Sequence, residues 1–385
     1  MAHPLDAPTN RLYTLKDDYL KKHKPIIDLI SGNVTTQGIT FPTEIFKNAL
    51  AFGMRRSKEY QPDPFGQKSA REALSRYYAA EGLRILPDQF VLTPGTSFAY
   101  WYAFKLLADP GDEILSPAPT YPLFDAIAAL AGITLVSYRM RERSRWEFDC
   151  EHLESLITTR TKALILISPH NPTGAVANEK EIKKLADVAV AKGLAIISDE
   201  VFSPFIFGPS PFVRPATTSA PLVLTLNGVS KMLALPGLKI GWMALSGDPL
   251  LVKKALKILD VISDTFLPVN ETMQFALPKL LTESRSFQKA YRLEVSKRME
   301  ETTRRLDNHT NLTFVKPEGG FFLTLKLDEK ADEEDIAYRL LKDRRILLHP
   351  GYFYDMEGQH LVMSFVARTP TMKTAIHQIL KVTAG

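Results

Sequence analysis

The sequence predicts an α/β protein, with a large domain on a mainly parallel seven-stranded sheet joined to a smaller α+β domain. Three observations carry this reading. Between about residues 65 and 246, short apolar runs alternate with helix-like segments, the order that builds parallel sheets. Several runs, such as Ala163-Leu-Ile-Leu-Ile167, are continuously apolar, as strands covered on both faces require. The last third changes character, with long polar helices followed by isolated strands around a Gly319-Gly320 turn.

In chain order the seven expected strands are Phe90 to Thr93, Glu113 to Ser116, Ile133 to Tyr138, Ala163 to Ser168, Leu194 to Ser198, Leu222 to Leu226 and Ile240 to Leu245. Between them, Glu179 to Lys192 repeats apolar residues at helical spacing and stops before Gly193, a C-terminal helix signal. Tyr121 to Leu130 stops in the same way before Gly132. Later come a long helix near Ser284 to Asn308, strands at Phe321 to Leu327, Ile346 to His349 and Leu361 to Val366, and a helix near Glu333 to Lys342. The first 45 residues have no nearby sheet partner, so they are expected to pack with the second domain. The expected division is 46–275 for the large domain, and 1–45 with 276–385 for the small one; 385 residues exceed what one small core organises.

Composition excludes several function classes. No apolar run reaches ~18 residues, so no membrane helix is expected. The opening MAHPLDAPTN lacks the apolar core of a cleaved leader. Cys150 is the only cysteine, so no intramolecular disulfide forms, which suits a cytoplasmic protein. The net charge of +5 is spread thinly, and the basic groups Lys21-Lys22-His23-Lys24 and Arg141 to Arg145 are brief. They read as solvated surface, not as a nucleic-acid footprint.

Four stretches carry candidate chemistry. In Ser230-Lys231-Met-Leu-Ala-Leu-Pro-Gly-Leu-Lys-Ile-Gly-Trp242 a lysine follows an expected buried strand. Burying a bare ammonium is costly, so Lys231 must be paired, solvated or covalently used. Capture of an aldehyde cofactor is one resolution, and an exposed loop lysine is the plain one. Asp199, in Ser198-Asp199-Glu200-Val201, stands at the carboxyl end of a strand, where α/β proteins bind ligands. A buried carboxylate there can hold a proton on a pyridine nitrogen. Asn171, in Ser168-Pro-His-Asn-Pro-Thr-Gly174, could donate its amide to a ring hydroxyl, although the stretch also reads as a Pro/Gly turn. Thr93-Pro-Gly-Thr-Ser97 opens a helix, and the free N–H groups near Gly95, Thr96 and Ser97 suit a phosphate dianion.

Taken together in this order, these motifs resemble the fold type I pyridoxal-phosphate enzymes of the aspartate aminotransferase superfamily, the class I and II aminotransferases. The resemblance runs from Ile27-Asp28-Leu29 to Leu361-Val-Met-Ser-Phe365. It implies pyridoxal 5'-phosphate as cofactor, Lys231 as its Schiff-base lysine and proton shuttle, Asp199 on the pyridine nitrogen and Asn171 on the phenolic oxygen. It implies that Tyr121, in Pro119-Thr-Tyr-Pro122, stacks on the ring, and that Gly95, Thr96 and Ser97 form the phosphate cup with Ser230 nearby. Gly32, with Asn33 beside it, would lie against the substrate. Tyr60 would reach the phosphate of a neighbouring subunit, so a homodimer with shared active sites is implied. The implied reaction is ping-pong transfer of an amino group from a small-molecule donor to a keto-acid acceptor. A carbon–sulfur β-lyase could use the same residues. A non-catalytic regulator joined to a DNA-binding module is the remote alternative, and the lead of about 25 residues is too short for that module.

Three positions depart from the family's pattern. Phe202 stands where a tyrosine is common, so one hydrogen bond to the cofactor oxygen is expected to be missing. Lys239 stands where an arginine is common, which replaces a fork by a point charge on the phosphate. Val362 stands where the substrate-carboxylate arginine is usual, and the arginine of dicarboxylate-specific members has no counterpart. Candidate substitutes are Arg11, Arg368, Asn33 and the amides near Gly32. Val362 would offer an apolar wall, extended by Phe202 and Phe353.

Overall fold

The computed structural model of the chain describes residues 10–208, 211–307 and 309–383. Its first strand, β1 (Ile27–Asp28), is followed by β2 (Phe90–Thr93), β3 (Glu113–Ala118), β4 (Thr134–Glu142), β5 (Trp146–Phe148), β6 (Thr161–Ile167), β7 (Ala195–Asp199), β8 (Leu222–Gly228) and β9 (Gly241–Gly247). Strands β2 to β9 form one eight-stranded sheet in the order β2-β9-β8-β7-β6-β3-β4-β5. The core β8-β7-β6-β3-β4 is parallel, β9 runs antiparallel to both its neighbours, and β5 is antiparallel to β4. The expected seven strands are all present, and β5 is an eighth. Its three residues follow a tight Arg143-Ser-Arg145 turn, too short a run for an apolar period to appear in sequence.

The continuous apolar runs bury both faces. In β6, Ala163, Ile165 and Ile167 enter one core cluster, while Leu164 and Leu166 enter the other, the two-residue alternation of a strand covered twice. The helix Thr96–Leu107 packs on the first face and Glu179–Lys192 on the second. The latter begins at a capping box between Asn178 and Glu181 and ends at Gly193, whose φ of 68° stops the helix.

The second sheet is antiparallel. It comprises β10 (Leu312–Phe314), β11 (Phe322–Leu327), β13 (His349–Pro350) and β14 (His360–Ser364), in the order β10-β11-β14-β13. The expected strand at 346–349 divides into β12 (Ile346–Leu347) and β13. β12 pairs with β1 in parallel, so the N-terminal segment does join the small sheet's core, along with Leu12 and Tyr19 of the helix Arg11–Lys21.

Backbone and ionic contacts fasten the two sheets together. Gly174 O accepts the N–H groups of Glu318 and Gly319, each at 2.9 Å. Arg145 bridges Glu181 at 3.1 Å and Glu318 at 3.3 Å. Glu142 receives His360 Nε2 and Lys326 Nζ, each at 3.2 Å. Thr120 N–H donates to Tyr354 O at 2.8 Å.

Candidate active site

The carboxyl ends of β2, β6, β7 and β8 converge on one place. β9 begins there too, and its Gly241 pairs with Thr93 on one side and Gly228 on the other. A Cβ on Gly241 would lie 3.0 Å from Gly95 Cα, and one on Gly228 would lie 2.9 Å from Ile240 O. These glycines let the turn carrying Ser230 and Lys231 sit beside the start of the helix Thr96–Leu107. Gly95 caps that helix with φ 117°, a conformation that favours glycine, and no side chain caps the first turn. The N–H groups of Thr96 and Ser97 therefore point free of intrahelical partners at a positive helix end.

Lys231 lies next to this cup. Its amine is 5.6 Å from the centre of the Phe202 ring and 5.8 Å from that of Phe321. Loss of water in these apolar surroundings lowers the amine to about 8. Among the described residues it has no ion-pair partner, and burial is the sole cause of its shift. A Cβ at position 32 would come within 2.9 Å of Lys231 Nζ, so only glycine fits there without displacing the amine.

Asp199 ends β7 and is buried. Tyr100 O–H donates to its Oδ2 at 2.8 Å and Val201 N–H to its Oδ1 at 3.0 Å. Desolvation outweighs both bonds and pushes the carboxyl up to about 6. Tyr121 stands within this charge's field: burial first, and then Asp199, raise its phenol above the ordinary value. Asn171 follows β6, and its Oδ1 is buried without a hydrogen-bond partner among the described residues. An orphaned buried amide oxygen calls for a partner that the chain itself does not supply.

Lys231, Asp199 and Asn171 thus stand at or just beyond the carboxyl ends of β8, β7 and β6, with Phe202 flanking the amine. Phe202 packs on Phe321 and Phe322, so it belongs beside Lys231, whereas Val362 shares its cluster with Phe353 and Tyr354. Lys239 is exposed in a left-handed conformation with φ 51°. Tyr60 is 75% exposed and is not brought to Lys231 of its own chain. Of the candidate carboxylate-binding groups, Arg11 is spent on Glu334 at 2.9 Å and on the Tyr338 ring. Arg368 is exposed and lies over Gly38, bonded through its N–H to Gln37. Asn33 turns its oxygen onto Thr35 at 2.6 Å. Arg11 is held on the surface by Glu334, whereas the Arg368 contact to Gln37 is made by its backbone N–H and its guanidinium lies over Gly38.

Sequence reasoning missed Tyr100, His349 and Tyr354. Tyr100 reaches Asp199 across 99 positions; His349 opposes Val362 by strand register and bonds Tyr354, which no local motif encodes.

The family described as Aminotransferase class I and II matches residues 24–379. Among similar proteins, a glutamate-pyruvate aminotransferase of Haemophilus influenzae is 29% identical, over 85% of this chain and 82% of its own. The S-alkyl-thiohydroximate lyase SUR1 of Arabidopsis thaliana is 32% identical over 73% of this chain and 63% of its own. The solved structure of an alanine aminotransferase from Pyrococcus furiosus superposes with a TM-score of 0.90, covering 97% of this chain and 96% of that one at 25% identity. With its sequence matched along nearly its whole length and its sheets arranged as in these relatives, the chain belongs to the class I and II aminotransferases, a pyridoxal-phosphate-dependent family.

Proposed function

We propose that the chain's catalytic residues are Lys231 and Asp199, and that Asn171 and Tyr121 complete the grip on the cofactor ring. The enzyme is an aminotransferase, and the carbon–sulfur lyase reading is not favoured by the aminotransferases found in both comparisons. The observation that carries the site assignment is the half-buried Lys231 amine, which has no ion-pair partner among the described residues and is faced by the Phe202 and Phe321 rings. The residues fit the cofactor: a helix N-terminus for the phosphate, the side-chain N–H of Asn171 for the ring oxygen, a buried carboxyl for the ring nitrogen.

When bound, pyridoxal phosphate supplies an aldehyde that captures amines and a ring that delocalises the electron pair left by a departing proton. Gly95, Thr96, Ser97 and Ser230 would hold its phosphate, with Lys239 adding a point charge. Asp199 would hold a proton on the ring nitrogen, and the Tyr100 O–H bonds that carboxyl at 2.8 Å. Asn171 would donate its side-chain N–H to the ring oxygen, and Phe202 would leave that oxygen one donor short. Gly32 leaves room for the amine of Lys231 to swing. With the cofactor bound, the Lys231 amine would serve as the base that takes the proton from the substrate α-carbon onto Nζ and holds it for return. Repeating the sequence in reverse with a keto acid completes a ping-pong cycle.

The exposed Tyr60 fits a homodimer in which each subunit lends this tyrosine to the other's phosphate cup. The division at 46–275 then assigns the chemistry to the large domain and part of the substrate wall to the small one. A reducing cytoplasm suits Cys150, whose thiol burial pushes up to about 11, which leaves it weakly reactive.

The test is a half-reaction screen. Holoenzyme is mixed with one amine or amino acid at a time, while cofactor absorbance, ammonia and keto product are followed. Conversion of the cofactor to its amine form without ammonia supports transamination. Ammonia with an unchanged cofactor supports elimination. Borohydride reduction followed by peptide mapping must place the label on Lys231.

A further inference from the structure

Asp199 closes β7 and Glu200 follows it directly. Successive side chains along a strand go to opposite faces. Asp199 goes to the face of the helix Thr96–Leu107, where Tyr100 bonds it. Glu200 goes the other way, on the side of Ser198. It is fully buried. Arg214 Nε donates to its Oε2 at 2.9 Å and Ser198 O–H to its Oε1 at 3.3 Å. Arg214 is buried too, with its guanidinium 4.8 Å from the centre of the Phe212 ring. Its other carboxylate neighbour, Glu81, stands 3.9 Å away and is half exposed.

The pair is costly to keep. Burial raises the Glu200 carboxyl, the charge and hydrogen bond of Arg214 and then the Ser198 bond bring it down, and Asp199 next door adds a smaller rise. Tyr77 and Tyr78, on the helix Lys68–Ala80, complete its surroundings; burial raises both phenols and Glu200 adds to the rise. Two charges that shed their water for one another stabilise a fold no better than well-packed apolar residues of like volume. Neither residue has a part in the chemistry assigned above.

The backbone around Glu200 supplies a reason for the pair. Glu200 N–H donates to Leu226 O on β8, and its carbonyl accepts the Ser203 N–H, each at 2.9 Å. Val201 N–H donates to Asp199 Oδ1 at 3.0 Å, and the Asn227 amide to Ser203 Oγ at 3.3 Å. Residues 199–203 thus form one turn fastened to β8, with Asp199 at its start and Phe202 facing the Lys231 amine. Among the described residues, Glu200 is the one member of this turn whose side chain enters an ion pair. A roll of the strand end that swung Asp199 off Tyr100 would pull the Glu200 carboxylate off Arg214 and leave two buried charges unpaired, which is strongly unfavourable.

We propose that Glu200 and Arg214 are positioning residues, an ion pair on the opposite side of β7 that fixes the aim of the Asp199 carboxylate at the ring nitrogen of the cofactor. This rests on the assignment of Asp199 to that nitrogen.

The experiment uses holoenzyme carrying pyridoxal phosphate isotope-labelled at the ring nitrogen, whose NMR resonance distinguishes a protonated nitrogen from a bare one. Glu200→Leu combined with Arg214→Met replaces both charges by apolar side chains of like volume, so the melting temperature should stay close to that of the wild type. In this double variant kcat should fall about tenfold or more while the donor KM changes less than about twofold. The ring-nitrogen resonance should move toward its unprotonated position. Glu200→Gln keeps an oxygen for Arg214 Nε, so it should hold the resonance in place and lose less than about threefold in kcat. Wild-type kcat and an unmoved resonance in the double variant overturn the inference. So does a double variant that fails to fold, which would assign the pair to the fold, and so does Glu200→Gln as damaging as the double variant. Asp199→Asn separates the two levels. If it leaves the resonance unmoved, the assignment of Asp199 fails and the inference with it; if it moves the resonance and the double variant does not, the inference alone fails.

Discussion

Tyr100 gives Asp199 the only side-chain hydrogen bond it has among the described residues, a 2.8 Å contact from helix to strand end. That bond and the Val201 N–H favour the ionised carboxylate, yet burial wins and the carboxyl stands at about 6 against an ordinary 3.8. In the cofactor-free protein the charge is thus a burden. A positive ring nitrogen would turn it into an asset.

The sign of that burden is testable. A carboxyl raised on folding supports the fold below about pH 4, and this support is lost as the pH rises toward about 6. Cofactor-free Asp199→Asn should therefore match the wild type near pH 3.5 and exceed it by up to about 3 kcal/mol above pH 7. Denaturant melts across this range provide the check. In holoenzyme the same variant should lose ~10²-fold in kcat with little loss of cofactor. Unchanged turnover would remove Asp199 from the ring nitrogen.

Lys231 is poised for capture by the same burial. Only a neutral amine attacks an aldehyde, and an amine at about 8 is about one-tenth neutral at pH 7, against less than ~0.1% for an ordinary lysine. The rate at which cofactor-free protein takes up pyridoxal phosphate should climb about tenfold per pH unit up to pH 8 and then level off. Stopped-flow absorbance reads this directly, and a climb continuing past pH 9.5 would contradict it. Lys231→Ala should bind cofactor through the phosphate cup alone and give no borohydride label.

Sites shared between subunits predict complementation. Tyr60→Ala and Lys231→Ala homodimers each carry a defect in both sites. Unfolded together and refolded, half the dimers should be mixed, and one site in each of these is intact, giving about a quarter of wild-type turnover. Activity no greater than the sum of the separate variants would place Tyr60 outside the site.

Glu333 anchors the 351–360 segment through three backbone N–H groups. Glu333→Ala leaves these donors without their acceptor and should lower stability by about 2–4 kcal/mol. Calorimetry would show it, and a change under 0.5 kcal/mol would mean that water replaces the carboxylate without loss.

What the sequence disclosed follows from range. The helix Glu179–Lys192 was legible to the residue because its cap, its period and its terminal glycine are local. Lys231, Asp199 and Asn171 could be singled out because each ends or follows a strand and sits in a short motif. β5 was hidden, since three residues carry no period. Tyr100 looked like one more aromatic on an apolar helix, and its bond to Asp199 exists only once β7 and that helix are packed. The Val362 departure was visible, but its neighbours were not. Thr324 and His349 flank it by strand register, which depends on how distant segments align. The surface arginines proposed as substitutes show the same limit: proximity in sequence to Val362 told nothing of which way Arg368 leaves the sheet.

The small sheet draws its strands from 312–364, after β2 to β9 and the segments joining them have supplied Lys231, Asp199, Asn171 and Tyr121. The residues proposed to grip the cofactor ring and the strands of the small sheet are thus written largely in successive stretches of the chain. A mutation in β11, β13 or β14 is expected to leave the proposed cofactor grip unchanged. Exchange of that C-terminal stretch between relatives becomes a route to new donors, provided that the crossover keeps Glu318 and Gly319 on Gly174.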